Sequence, residues 1–164
     1  MESCTQRNKI LIVGGPGSGK TYLSKKIKQH LRLPVFSSDN FFWKEGSLEN
    51  KRPKQEREKM LRELLSKKKW VLEGVFFSWI KPAVAEAEII IFLDVHPIIR
   101  AKNIIIRFIR QPNREGRKEK LINVLRLLKD NFFLDINNKQ LVNKETFVFT
   151  SADKAIEEII KMRH

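Results

Sequence analysis

Apolar residues along the chain follow two periods in turn, and the alternation predicts strands and helices one after another. Lys9-Ile10-Leu11-Ile12-Val13 is apolar on both faces of an extended chain, as a buried parallel strand must be. From Tyr22 to Leu31 the apolar positions recur at helical spacing, so a helix follows the strand. Residues 33–37 read as a short second strand, and a polar and aromatic loop runs from Ser38 to about Arg52. Pro53 suits the first turn of a helix reaching about Ser66. Residues 69–73 predict a third strand ending at Gly74, and a short helix around 79–85 leads to a fourth strand, 88–93, with Asp94 at its end. A basic helix from Pro97 to about Arg110 precedes a break at 111–116 and another helix from about Arg117 to Asn131. Residues 134–143 fit neither period. Residues 146–149 form the last strand, and Ser151 is a good N-cap for a closing helix over 152–162.

Five strands separated by helices imply a single α/β domain over residues 1–164, with a parallel sheet covered on both faces. No repeat or low-complexity linker divides it. In such a sheet ligands bind beyond the carboxyl ends of the strands, so chemistry is to be sought there.

Between the first strand and the first helix lies Gly14-Gly15-Pro16-Gly17-Ser18-Gly19-Lys20-Thr21, a complete G-x-x-x-x-G-K-[ST] phosphate-binding loop. Its glycines permit dihedrals closed to other residues, so successive N–H groups can turn toward phosphate oxygens. The helix starting near Gly19 adds free N–H groups and a positive dipole end. Lys20 would reach the β- and γ-phosphates, and the Thr21 hydroxyl would take one position on Mg²⁺. Gly15, Pro16, Gly17, Ser18, Gly19, Lys20 and Thr21 are therefore the expected binding residues for ATP.

Charge changes the picture next. Thirty-three Lys and Arg against 19 Asp and Glu give a net charge of +14 and a pI near 10.1, which favours a polyanionic ligand or partner and keeps nucleic acid among the partners. Cys4 is the single cysteine, so no disulfide framework exists and a reducing cytoplasm is the natural setting. The N-terminal residues lack the apolar core of a signal peptide, and no apolar run is long enough to span a bilayer. The histidines at 30, 96 and 164 are scattered, which points to neither a metal cluster nor a Ser/His/Asp triad.

Three acids stand at or just after strand ends. Asp39, after the second strand, is positioned to take the proton of an acceptor hydroxyl or to hold a water on Mg²⁺, although Ser-Asp-Asn sequences also cap turns. Glu73 ends the third strand beside Gly74, and metal and phosphate nearby would keep it ionised. Asp94 follows an apolar run in the manner of the Mg²⁺-binding strand of nucleoside triphosphatases, but with Val95-His96-Pro97 it equally makes a helix start.

The basic segment from Arg100 to Lys120 surrounds the predicted helix break. Arginines there would neutralise charge on a transferring phosphoryl group, and closure would exclude water. Helical spacing puts Arg107 and Arg110 on one face, and Arg114 is the next candidate. The same arginines, with Phe41, Phe42, Trp43, Phe76, Phe77 and Trp79 as stacking surfaces, would also suit a nucleic-acid backbone and exposed bases.

The phosphate loop, Ser38-Asp39-Asn40-Phe41-Phe42-Trp43-Lys44, Trp70-Val71-Leu72-Glu73-Gly74 and Ile91-Phe92-Leu93-Asp94-Val95 occur in the order and spacing of small adenylate-kinase-like P-loop kinases. The sequence most resembles the bacterial "topology modulation protein" group, over most of the chain to about Arg110. The resemblance implies a three-layer P-loop nucleoside triphosphatase fold with a five-stranded parallel sheet in the order 2-3-1-4-5. It further implies a helical lid near 111–117, an ATP and Mg²⁺ donor site and a small phosphoryl acceptor. Nucleoside monophosphate kinases usually carry an arginine soon after the acid-Gly pair, whereas Val75-Phe76-Phe77-Ser78-Trp79 stands here.

Two functions follow as expectations. One is an ATP-dependent phosphotransferase, with Lys20, Asp39, Glu73, Arg107 and Arg110 as catalytic residues, Arg114 on the nucleotide, and Thr21 and Asp39 at the metal. The other is an ATP-binding nucleic-acid-associated NTPase or polynucleotide kinase.

Overall fold

Strand β1 (Lys9–Gly14) lies at the centre of a five-stranded parallel sheet. In this computed structural model, residues 7–44, 50–75, 78–110, 113–114, 117–118, 124–125, 127–129 and 146–161 are described. Helix α1 (Lys20–Leu31) follows β1, and β2 (Val35–Ser37) is succeeded by α2 (Ser38–Phe42) and α3 (Lys54–Leu65). Then come β3 (Trp70–Gly74), a 3₁₀ turn (Ser78–Ile80), α4 (Lys81–Glu86), β4 (Ile89–Leu93) and α5 (Pro97–Arg110). A small antiparallel hairpin of β5 (Asn113–Arg114) and β6 (Arg117–Lys118) precedes β7 (Thr146–Phe149) and α6 (Ala152–Lys161).

The five-stranded sheet has the order β2-β3-β1-β4-β7 and all its pairs are parallel, the 2-3-1-4-5 arrangement expected from the sequence. Alternate residues of β1 explain the three layers. Leu11 and Val13 join Trp70, Leu72, Leu61, Leu64 and Phe41 in one core, while Ile10 and Ile12 join Leu23, Ile27, Ile91, Ala155 and Ile159 in the other. Both faces of the sheet are thus covered, which is why its central strands are apolar throughout.

Register carries the acids to one edge. Ser37 pairs with Glu73, Val13 with Gly74 and Gly14 with Leu93, so the ends of β2, β3, β1 and β4 lie side by side. The phosphate loop leaves this edge at its middle.

Two local expectations are corrected. Residues 38–42 are helical rather than loop, because Phe41 packs into the core and Gly74 leaves room for Ser38 against β3; a Cβ on Gly74 would collide with the Ser38 side chain. Beyond α2 the chain is tied at Trp43 and Lys51 by an isolated antiparallel bridge. The helix expected from Arg117 does not begin there, since Arg117 and Lys118 pair with Arg114 and Asn113 in the hairpin. Residues 124–125 and 127–129 are helical, and 134–143 lie outside the described residues. Ser151 caps α6 as expected, its Oγ accepting a hydrogen bond from the Lys154 N–H at 3.3 Å.

Candidate active site

The phosphate loop is held open by its glycines and gripped from one side by α5. Gly17 and Gly19 have φ of 75° and 94°, in the left-handed region that favours glycine. Gly19 is also the N-cap of α1, which starts without a side-chain cap, so its N-terminal N–H groups face the loop without competition from a capping oxygen. Ser18 Oγ is buried and has no hydrogen-bond partner among the described residues.

Lys20 is drawn back into the loop, with Nζ donating to the Gly15 carbonyl at 2.8 Å. Burial pushes its pKa below the usual lysine value of 10.5; Glu73 and Asp39 oppose that shift, and Arg100 and Arg107 add to it. These four charges come from β3, from α2 and from two positions of α5, and Lys20 responds to all of them. Next along α1, Thr21 Oγ1 donates to Glu73 Oε1 at 3.3 Å. Glu73 is only 6% exposed, enclosed between the loop and the start of α2.

Arg100 is the residue that sequence reasoning undervalued. It is 1% exposed, and a Cβ on Gly15 would fall on its guanidinium; a Cβ on Gly17 would meet its carbonyl. One turn further on, Asn103 Nδ2 donates to the Gly17 carbonyl at 2.9 Å. Arg100, Ile104 and Arg107 stand four and three residues apart, a single helical stripe, and that spacing was the available signal. Arg107 is half-buried on this stripe, whereas Arg110 is exposed at the end of α5. Arg114 belongs to the hairpin strand β5, and its side chain, like Phe76 and Phe77, lies outside the described residues. Asp94 follows β4 directly, its N–H bonded to the Phe149 carbonyl at 2.9 Å, and it is not among the charges acting on Lys20.

The donor set fits a polyphosphate: an uncapped helix start, a buried hydroxyl without a partner, and a lysine parked on a backbone carbonyl from which a phosphate would draw it. Among the described residues no group of three or more His, Cys, Asp or Glu comes together. The neighbouring Thr21 hydroxyl and Glu73 carboxylate suit instead a magnesium ion shared with phosphate oxygens and water.

A parallel sheet in this order, with a glycine-rich phosphate loop between β1 and α1 at its carboxyl edge, defines a P-loop kinase-like domain. Residues 13–126 match the family model described as AAA domain, and the chain belongs to that family. No curated protein sequence matches the chain. Among solved structures, shikimate kinase from Acinetobacter baumannii in complex with shikimate is similar, with a TM-score of 0.62 and 18% identity over 96% of this chain and 93% of that one. A gluconokinase from Sinorhizobium meliloti 1021 gives a TM-score of 0.56 and 16% identity over 96% of this chain and 89% of that one. YorR protein from Bacillus subtilis in complex with phosphorylated GDP gives 0.57 and 13% over 93% and 94%. These likenesses establish the fold.

Proposed function

We propose that the protein is a nucleotide-dependent phosphotransferase that moves the γ-phosphoryl group of ATP to a hydroxyl of a small acceptor. What supports the reading is that Glu73 accepts from Thr21 while both Glu73 and Asp39, which follow neighbouring parallel strands, act on the charge of Lys20. A phosphate-binding switch would need the loop and a metal contact, but not a second acid poised beside the γ-phosphate.

Gly15 to Thr21 bind the triphosphate, and Lys20 leaves the Gly15 carbonyl for the β- and γ-phosphates. The acceptor oxygen forms a bond to the γ-phosphorus, the bond to the β-phosphate oxygen breaks with its electron pair remaining on ADP, and Asp39 takes the hydroxyl proton. Thr21, with Glu73 or Asp39 behind it, would hold Mg²⁺, whose chemistry is to neutralise charge on the β- and γ-oxygens. Arg107 adds positive charge from α5, while Arg110 and Arg114 would join it if the segment over 111–117 closes over the nucleotide as a lid.

Support for a small acceptor comes from the similar structures, which include kinases of shikimate and gluconate. The likeness to topology modulation proteins rests on the motifs at 38–44 and 70–74. A cytoplasmic setting agrees with the fold, and no described helix is long and apolar enough to cross a membrane. The test is ATP turnover with a panel of hydroxy acids, sugars, nucleosides, nucleotides and single-stranded oligonucleotides at two salt concentrations. Stimulation by a small compound, insensitive to salt, is the expected result; tight salt-dependent oligonucleotide binding without small-molecule transfer overturns it.

A further inference from the structure

The two connections that enter β2 and β3 lie side by side at the edge of the sheet opposite the phosphate loop. Val71 N–H donates to the Pro34 carbonyl at 2.8 Å, which holds residues 32–34 beside the end of residues 66–69. Both connections are basic. Arg32 stands in the first, with Lys28 one turn before it on α1, and Lys67-Lys68-Lys69 fill the second; all five side chains are exposed.

We infer that this edge is a docking surface for double-stranded nucleic acid, held through the phosphates of its backbone. The inference is independent of the phosphotransferase reading. The five residues of β3, at about 3.3 Å each, set the edge about 16 Å from the strand ends that carry the site.

Local structure does not ask for cations at these positions. Arg32 has φ of 52°, the only positive φ outside glycine among the described residues, at a helix end where glycine or asparagine is the ordinary choice. Its N–H bonds to the Lys28 carbonyl at 3.1 Å, as a glycine N–H would. The strain is therefore kept together with a guanidinium. In the second connection Ser66 Oγ donates to the Glu63 carbonyl at 2.9 Å and the Lys67 N–H to the Leu64 carbonyl at 3.0 Å, so the turn closes without a lysine side chain. Turns favour Gly, Asn, Asp and Ser, and three adjacent ammonium groups repel one another. Helix dipoles explain only part of the charge. They favour cations in the last turns of α1 and α3, where Lys28 and Arg62 already stand, and Lys68 and Lys69 lie beyond that reach.

Glu86 and Glu88, which precede β4, lie two strands away from β3. There they bind Lys9 Nζ and the N–H groups of Asn8 and Lys9. Residues 1–6 contain one acid, Glu2, against the five cations.

The make-up of the surface selects the partner. Single strands are held by stacking on aromatic rings, and membranes by apolar side chains that insert. Among the described residues the exposed large apolar side chains are on Tyr22, α5, Leu125 and β7, not on these connections. The rings near the site do not serve instead, since Phe41 is buried and Phe42 has Arg57 and Lys51 over it. A duplex needs only closely spaced cations, because it presents about one charge per 1.7 Å of its axis.

The test is fluorescence anisotropy of the full chain with labelled DNA and RNA duplexes of about 20 base pairs and mixed sequence, from about 50 to 200 mM salt. Either duplex is expected to bind without sequence preference, the logarithm of affinity falling against the logarithm of salt with a slope of about −3 to −4. Lys67→Gln, Lys68→Gln and Lys69→Gln together should weaken binding more than about tenfold and reduce the slope by about 2–3. Arg32→Gly should reduce the slope by about 1 and raise the melting temperature, and Lys20→Ala should bind as the wild type does. Lys25→Gln, Lys102→Gln and Lys154→Gln together make the same change of charge on other exposed surfaces, and should alter binding by less than about threefold. An equal loss from that control, a slope indifferent to the Lys67 to Lys69 variant, or no binding at the lowest salt overturns the proposal. Lysine-dependent binding to phosphatidylserine vesicles, with none to either duplex, makes the edge a membrane contact and overturns it as well.

Discussion

The hydroxyl of Thr21 donates to the carboxylate of Glu73 across 3.3 Å, joining the last residue of the phosphate loop to the end of β3. Fifty-two positions separate them in sequence, and the parallel register of β1 with β3 brings them together. Glu73→Gln keeps the acceptor oxygen for Thr21 but removes the charge. Steady-state kinetics should show kcat lowered by about a hundredfold with KM for ATP changed by less than about threefold. An unchanged kcat would assign Glu73 to structure alone.

Asp39 separates acceptor chemistry from donor binding. Asp39→Asn should cut kcat by about a hundredfold while equilibrium binding of ATP stays within about twofold. If ATP affinity falls in step with kcat, the carboxylate belongs to the nucleotide site and not to the acceptor proton.

Lys20 predicts a proton linkage whose sign follows from its burial. In the free protein its pKa is lowered from 10.5, so over the range from that lowered value up to 10.5 the side chain is partly neutral. A triphosphate favours the ammonium form, so binding takes up protons, increasingly as pH rises toward 10.5. Calorimetry in two buffers of different ionisation enthalpy measures this uptake; its absence at every pH up to 10.5 would contradict it. The same shift destabilises the empty fold at pH below the lowered pKa, and the penalty fades as pH rises to 10.5. Lys20→Met should therefore raise the melting temperature of the nucleotide-free protein at neutral pH while abolishing ATP binding.

Gly15 and Arg100 form a pair that a double-mutant cycle can isolate. Gly15→Ala places a methyl where the Arg100 guanidinium lies, and should cost about 1–3 kcal/mol of stability and weaken ATP binding. In the Arg100→Ala background the same substitution has room, so its cost should largely vanish. Additive effects would show that the guanidinium does not support the loop.

Much of this arrangement was legible in the chain. Residues 10–13, 70–72 and 89–93 are apolar on both faces, which forced a covered parallel sheet, and the phosphate loop announced itself by spacing. Asp39 and Glu73 stood out as candidates because strand ends are where such sheets bind ligands. Arg100 was undervalued because a basic segment reads as solvated, and only packing reveals that its guanidinium replaces a side chain at Gly15. The helix α2 was read as a loop because its five residues are too short for a period to appear.

Transfer of label from γ-labelled ATP to a small hydroxyl compound tests the central claim most directly, run with the wild type, Lys20→Ala and Asp39→Asn. Labelled product from the wild type, lost with Lys20→Ala and reduced about a hundredfold with Asp39→Asn while ATP still binds, is the predicted result. Release of inorganic phosphate at the same rate with and without every acceptor, and unchanged by Asp39→Asn, would contradict it.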